Sequence, residues 1–159
     1  MRRDIFIDNN VASKFSNPVD IEYKELIKWL MDNHEIKDEA EDDRAYLVVS
    51  NQLIAEYYRS CRGSFSSSSI PMIIYRLTIE GRLESYSNKE INQFKTDFFT
   101  KTVERKFRSN NEDRNHIPIV LMSDRKFVLT YDDNFTFDLE HFPGFSVVVS
   151  KRPELLPYK

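Results

Sequence analysis

The sequence contains little cysteine, little glycine and no long apolar run, and each shortage excludes a class of protein. With Cys61 as the single cysteine among 159 residues, the chain cannot form an internal disulfide bond, which favours a reducing, cytoplasmic setting. With only Gly63, Gly81 and Gly144, it lacks a glycine-rich phosphate loop, which excludes a Rossmann or P-loop nucleotide site. No apolar run approaches the ~20 residues that span a bilayer, so we predict no membrane partner.

The remaining composition is that of a globular protein with a slight excess of acid. Hydrophobic residues make up 40% of the chain and charged residues 31%, and the formal net charge is -3. The length fits a single domain over residues 1–159. Acids concentrate in residues 35–43, whereas bases recur in residues 101–114. A local basic surface is therefore compatible with the negative net charge.

Apolar runs alternate with amphipathic segments along the chain. We predict strands over 4–8, 46–50, 126–131 and 145–150, and helices over 18–33, 51–61, 70–86 and 88–106. The helix over 18–33 would begin at Pro18, with Asn17 as its cap. Residues 70–86 also fit a hairpin that turns near Gly81. Strands that alternate with helices predict an α/β fold with a mainly parallel sheet, whose strand 145–150 would be buried on both faces.

Four acidic residues occur in order at the ends of strands or on helices. Asp8 ends the first apolar run, and Glu56 lies on the helix after the second. Asp113 opens the segment DRNHIPIVLMS, and Asp132 follows the third strand. Ligands of a parallel sheet bind at the carboxyl ends of its strands, where such carboxylates can converge. Carboxylate oxygens are the ligands that Mg²⁺ and Mn²⁺ prefer, so the pattern predicts a divalent-metal site.

These segments resemble the PIN-domain family of metal-dependent ribonucleases, which includes the toxins of many bacterial toxin–antitoxin pairs. IFIDNNV is similar to the opening strand of the family, VVSNQLIAEY to its second strand and acid-bearing helix, and FSVVVS to its closing strand. DRNHIPIVLMS is similar to the helix that carries the third Asp, and VLTYDDNF to the Thr-Asn-Asp segment. Two residues depart from the pattern: Tyr131 replaces the usual Asn, and Pro118 lies inside the third segment. Asp124 therefore stays open as an alternative to Asp113.

The resemblance implies an α/β/α sandwich with four or five strands, which hydrolyses RNA phosphodiester bonds with Mg²⁺ or Mn²⁺. Asp8 and Asp132 would be direct metal ligands. Glu56 and Asp113 would bind the ion or hold a coordinated water molecule. Cleavage would leave a 5′-phosphate and a 3′-hydroxyl.

The same resemblance implies further contacts and partners. Asn10 and Thr130 would orient the carboxylates or the phosphate. Arg59, Arg105 and Arg114 would contact RNA phosphates, with a solvated helix face as the alternative for these bases. An antitoxin-like protein partner and a homodimer would also be typical of the family.

Two other functions fit the sequence. The departures at Tyr131 and Pro118 are compatible with a catalytically inactive PIN-like module that binds a protein partner. A phosphotransferase or phosphatase could use Asp8 as its nucleophile, although the segment DNNV lacks the second Asp that such phosphatases usually carry. The histidines are His34, His116 and His141; they show no zinc-ligand spacing, so we predict structural or surface roles for them.

Overall fold

The protein has an α/β fold built on one parallel sheet, in a computed structural model that describes residues 1–37, 40–61 and 66–159. The strands are β1 (Arg3–Ile7), β2 (Ala45–Ser50), β3 (Leu83–Tyr86), β4 (Phe127–Leu129) and β5 (Val148–Ser150). Their order in the sheet is β3-β2-β1-β4-β5, and every pairing is parallel. The predicted α/β class and mainly parallel sheet are therefore confirmed. Residues 38 and 39 of the acidic run lie outside the described residues.

Helices connect the strands as expected for parallel crossovers. They are α1 (Asn9–Ala12), α2 (Ile21–Asp32), α3 (Asn51–Ser60), α4 (Ile70–Ile79), α5 (Asn88–Phe98), α6 (Lys101–Lys106), α7 (Asn111–Arg114), α8 (Ile117–Met122) and α9 (Asp133–Glu140). Short 3₁₀ turns cover Ser13–Ser16 and Pro153–Leu155. Within the described ranges, no helix has the length and apolar character that crossing a membrane requires.

The central strands are covered on both faces. Every residue of β2 is buried, and so is every residue of β1 after Arg3. A strand with both faces buried needs packed layers on each side of the sheet. This burial is consistent with an α/β/α sandwich.

The predicted helix over residues 70–86 is wrong beyond Ile79. Gly81 adopts a φ of +66°, a conformation that strains any residue with a side chain, so the helix ends and the chain turns. Leu83–Tyr86 then pair with β2 as the edge strand β3. Helical spacing of apolar residues continues to Leu83, but pairing with a buried neighbouring strand outweighs this local preference.

The side chain of Arg82 connects this turn to the core. Its side chain is fully buried and forms an ion pair with Glu80 at 2.5 Å. Its Nη1 donates to the carbonyl oxygens of Leu30 and Ala45, at 2.5 and 2.9 Å. The guanidinium therefore links β3 to α2 and β2.

Two predicted helices have different bounds in the structure. The helix expected from Pro18 begins at Ile21, because the carboxylate of Asp20 caps it by accepting the backbone N–H of Glu22 at 2.9 Å. The single helix expected over residues 88–106 is divided into α5 and α6. Thr100 starts the second part, since its hydroxyl accepts the backbone N–H of Val103.

The closing strand is shorter and more exposed than predicted. Only Val148–Ser150 form β5, and Val148 is 40% exposed. The prediction of burial on both faces is wrong because β5 lies at the edge of the sheet, next to β4 alone. The third predicted strand, 126–131, is likewise reduced to Phe127–Leu129. The residues after Leu129 therefore lie beyond the strand, where they form part of the site.

Candidate active site

The carboxyl edge of the sheet brings the ends of β1, β4 and β5 together. Asp8 follows β1, and its backbone N–H donates to the carbonyl oxygen of Leu129, the last residue of β4, at 2.9 Å. Thr130 follows β4, and its backbone N–H donates to the carbonyl oxygen of Ser150 at 3.1 Å. Because the strands are parallel, the side chains that follow them share the edge where ligands of such sheets bind.

Asp8 is the buried centre of this edge, with 9% of its surface exposed. Its Oδ2 accepts hydrogen bonds from the Thr130 hydroxyl at 2.6 Å and the Asn10 side-chain amide at 3.3 Å. Its Oδ1 accepts the backbone N–H of Asn9 at 2.7 Å. Burial raises the pKa of Asp8, and the hydrogen bond from Thr130 opposes that rise only in part. Asn10 and Thr130 thus lie in direct contact with the first predicted acid.

Asp132 is joined to Asp8 through Thr130. The side chain of Asp132 caps α9, because its Oδ1 accepts the backbone N–H of Phe135 at 2.9 Å. Its own backbone N–H donates to the Thr130 hydroxyl oxygen at 3.1 Å. One hydroxyl therefore accepts from Asp132 and donates to Asp8, which fixes the spacing of these two acidic residues.

Glu56 reaches the same edge from α3. The helix begins at Asn51 because the Ser50 hydroxyl accepts the backbone N–H of Leu53, at 3.2 Å. Burial alone would raise the pKa of Glu56, but hydrogen bonds from His116 and Gln52 outweigh it and lower that pKa. The side-chain amide of Gln52 donates at 3.0 Å. Glu56 is therefore held as an ionised carboxylate.

His116 contacts the site, although the sequence analysis predicted only a structural or surface role for it. It is buried, and its Nε2 lies 3.0 and 3.1 Å from the two carboxylate oxygens of Glu56. Its ring packs against Phe6 and Phe135. Among the described residues its Nδ1 has no hydrogen-bond partner, so the tautomer with its proton on Nε2 suits this environment. The available sequence signal was its position three residues after Asp113, directly before an apolar helix.

Asp113 faces the other acids from the short helix α7. The Asn110 side chain caps this helix by accepting the backbone N–H of Asp113 at 2.9 Å. Burial, followed by repulsion from Asp132 and Asp8, raises the pKa of Asp113 to about 6. Its alternative, Asp124, precedes β4 at the opposite end of the strands, where it accepts the backbone N–H of Arg2 at 2.8 Å. The structure thus brings Asp113 to the other predicted acids and leaves Asp124 away from them.

The acids line one open cleft of about 450 Å³. Glu112, which the sequence analysis did not select, adds a further carboxylate, and among the described residues Arg59 is the only cation in the lining. The lining residues, within the described part of the chain, are Asp8, Asn9, Asn10, Glu56, Arg59, Ser60, Glu112, Asp113 and Asp132. The cleft therefore has a strong excess of negative charge.

The donor chemistry of the cleft suits a hard divalent cation, because its ligands would be carboxylate oxygens. Within residues 1–37, 40–61 and 66–159, no three His, Cys, Asp or Glu side chains are close enough together to form a completed ligand set.

The three predicted RNA-binding arginines have different environments. Arg59 is exposed and lines the cleft. Arg114 points away from it, since its Nε donates to the carbonyl oxygen of Ser109 at 2.9 Å and its guanidinium lies over the ring of Phe107. Arg105 is exposed on α6, outside the cleft.

Comparison of the chain with protein-family models, with curated proteins and with solved structures gave no match. Any functional assignment must therefore come from the residues of the cleft and their chemistry.

Proposed function

We propose that this protein is a metal-dependent endoribonuclease of the PIN-like type, with the acidic cleft as its active site and Mg²⁺ or Mn²⁺ as its cofactor. One observation carries the proposal: Asp8, Glu56, Asp113 and Asp132 come from separate segments of the chain and line the same cleft. Their mutual repulsion contributes to the raised pKa of Asp113. A cluster of five acids with a single described cation in its lining, at the ligand-binding edge of a parallel sheet, favours a cation site over a structural role.

The four acids would have different roles, which follow from their burial and contacts. Asp8 and Asp132 would be the direct ligands, because Thr130 fixes their spacing. Glu56 and Asp113 would complete the ligand set or bind water beside it. A bound divalent ion would supply positive charge that offsets the carboxylates and polarises the phosphodiester.

The other residues of the cleft would position the reactants. Arg59 would bind a phosphate oxygen of the RNA, and Asn10 would orient Asp8, to which it already donates at 3.3 Å. Water would attack phosphorus in line with the departing 3′ oxygen, which takes up a proton. The products would be a 5′-phosphate and a 3′-hydroxyl.

The direct test is Mn²⁺ titration by calorimetry, followed by cleavage of end-labelled RNA. We expect the wild type to bind Mn²⁺ and Asp8→Asn/Asp132→Asn to lose binding. Asp8→Asn alone should abolish cleavage and keep its fold, checked by circular dichroism. Glu140→Gln removes an exposed carboxylate on α9 outside the cleft and serves as the matched control. An Asp8→Asn protein that cleaves RNA at the wild-type rate would refute the proposal.

A second candidate function is an inactive PIN-like module that binds a protein, such as an antitoxin-like partner or a second copy of the chain. It is favoured by the absence, in the described part of the chain, of three acids already arranged around an ion. Failure of the wild type to bind millimolar Mn²⁺ would select this candidate over the nuclease.

A further inference from the structure

The acidic cleft has a neighbouring pocket of about 560 Å³, whose lining includes Lys14, Asn17, Tyr23, Tyr131 and Arg152; we call it the Tyr131 pocket. Both spaces are built from the segments that follow β1 and β4. Asn10 and Asp132 line the cleft, whereas Lys14 and Tyr131 line the pocket. The backbone N–H of Tyr131 donates to the side-chain oxygen of Asn10 at 3.2 Å, which joins the walls of the two spaces. A chain bound in the cleft can therefore continue past Asn10 into the pocket.

The Tyr131 pocket differs from the cleft in its charge. Its charged lining residues, within the described part of the chain, are Lys14, Asp20 and Arg152. Arg152 is already paired, with Asp20 at 2.7 Å and with Glu154 at 2.9 Å. Lys14 is exposed and forms no ion pair with a described residue. Lys14 therefore carries the charge that is available to an anionic ligand.

The position of Lys14 depends on Tyr131. The ammonium group of Lys14 lies over the Tyr131 ring, 5.5 Å from its centre. An ammonium group is attracted to the face of an aromatic ring, so this contact holds the cation beside the cleft. Tyr131 stands where the resembled family has Asn, so this arrangement is a property of the present chain.

Two neutral side chains add hydrogen-bonding groups to the lining. Tyr23 is only 4% exposed, and its hydroxyl has no hydrogen-bond partner among the described residues. Buried polar groups are normally paired, so this hydroxyl points to a ligand that completes the site. Asn17 lines the pocket, because Asp20 takes the capping role that the sequence predicted for it. An ammonium, an amide and a hydroxyl are donors that proteins use to bind phosphate.

We propose that the Tyr131 pocket binds the phosphate group next to the scissile one, with Lys14 as its counter-ion and Tyr131 as the residue that positions Lys14. This inference rests on the proposed nuclease function and adds a second binding site to it. A metal ion would offset the charge of the scissile phosphate, whereas the neighbouring phosphate meets the repulsion of the acids. A cation directly outside the cleft offsets that repulsion and fixes the register of the RNA on the metal site.

The first experiment measures the binding of a short labelled RNA in EDTA, by fluorescence anisotropy at several salt concentrations. Lys14→Gln should weaken binding about fivefold and reduce the slope of log affinity against log salt by about 0.7, which corresponds to one lost phosphate contact. Tyr131→Asn should weaken binding about threefold, because the ammonium loses the ring beneath it, whereas Tyr131→Phe should bind like the wild type. Lys28→Gln and Tyr75→Asn change exposed residues of α2 and α4 and are the matched controls, with wild-type binding expected.

The second experiment removes the charge from the RNA instead of from the protein. One neutral methylphosphonate linkage, on a 2′-deoxy nucleotide, is placed at successive positions around the cleaved bond, with the 2′-deoxy phosphodiester as its reference. At one position next to that bond, the wild type should lose about fivefold in kcat/KM through a higher KM, with kcat unchanged. Lys14→Gln should show no further loss at that position, because its contact is already absent. Losses that add in full at both adjacent positions would show that Lys14 contacts neither phosphate.

The two proposals fail separately. Lys14-dependent RNA binding in EDTA without Mn²⁺-dependent cleavage would refute the nuclease and keep the phosphate site. Mn²⁺-dependent cleavage that Asp8→Asn abolishes, with wild-type affinity and salt slope in Lys14→Gln, would refute the phosphate site alone. The absence of any RNA binding, or an equal loss in Lys28→Gln, would also overturn it. Thermal unfolding of each variant separates a lost contact from a lost fold.

Discussion

Replacing Asp113 by Asn should stabilise the metal-free protein above pH 7. The pKa of Asp113 rises from 3.8 to about 6 through burial and repulsion from Asp132 and Asp8. A carboxyl group whose pKa is higher in the folded state stabilises the fold below its unfolded pKa, and that contribution is lost as the pH rises through about 6. At pH 8 the ionised Asp113 therefore opposes folding, and an amide of similar shape does not.

The magnitude follows from this displaced pKa. Each pH unit of displacement corresponds to about 1.4 kcal/mol, which sets an upper limit of about 3 kcal/mol. Asp113 is only partly buried, so solvent screening should reduce the effect to about 1 kcal/mol. For a chain of this length, we expect Asp113→Asn to raise the melting temperature by about 3 °C at pH 8 and to leave it unchanged at pH 4.

Thermal denaturation in EDTA between pH 4 and pH 8 measures this difference, with Glu140→Gln as the control for removal of a carboxylate outside the cleft. Mn²⁺ should then reverse the order, because it stabilises the wild type more than the variant. If Asp113→Asn melts below the wild type by the same margin at every pH, the acids do not repel one another and the proposed convergence is wrong.

The remaining predictions concern two buried residues. His116→Leu should weaken Mn²⁺ affinity and RNA cleavage by at least tenfold, because Glu56 loses the donor that holds both of its oxygens. His116→Gln should retain part of the Mn²⁺ affinity and part of the cleavage. Calorimetry measures the affinity, and single-turnover cleavage measures the rate. Arg82→Met should lower the free energy of unfolding by about 3–5 kcal/mol, since it leaves buried carbonyl oxygens without a donor. Urea denaturation measures that loss, and a change below about 1 kcal/mol would contradict the assigned role of Arg82.

The parts of the fold that could be predicted from the sequence depend on local patterns. Short apolar runs identified β1 and β2, and their parallel arrangement placed Asp8 at the ligand-binding edge. Asp132 could be predicted for the same reason, because it follows the predicted strand 126–131. The sequence was therefore most informative about the site where an acidic residue follows a strand.

The features that could not be predicted depend on contacts between distant segments. The strand β3 has helical apolar spacing and forms because β2 offers a partner and Arg82 fixes the turn. His116 meets Glu56 across 60 residues of sequence, which no local pattern encodes. The choice between Asp113 and Asp124 likewise needed the position of α7 relative to the sheet.

The acids of the cleft are held in two different ways. Asp8 and Asp132 are fixed by Thr130 at the ends of adjacent strands. Asp113 lies on a helix of four residues, and the carboxylate of Asp138 on α9 holds the segment before that helix by accepting the backbone N–H groups of Arg108 and Ser109, at 2.8 and 2.9 Å. The position of Asp113 therefore depends on Asp138, whereas Asp8 and Asp132 are positioned by the strands that precede them.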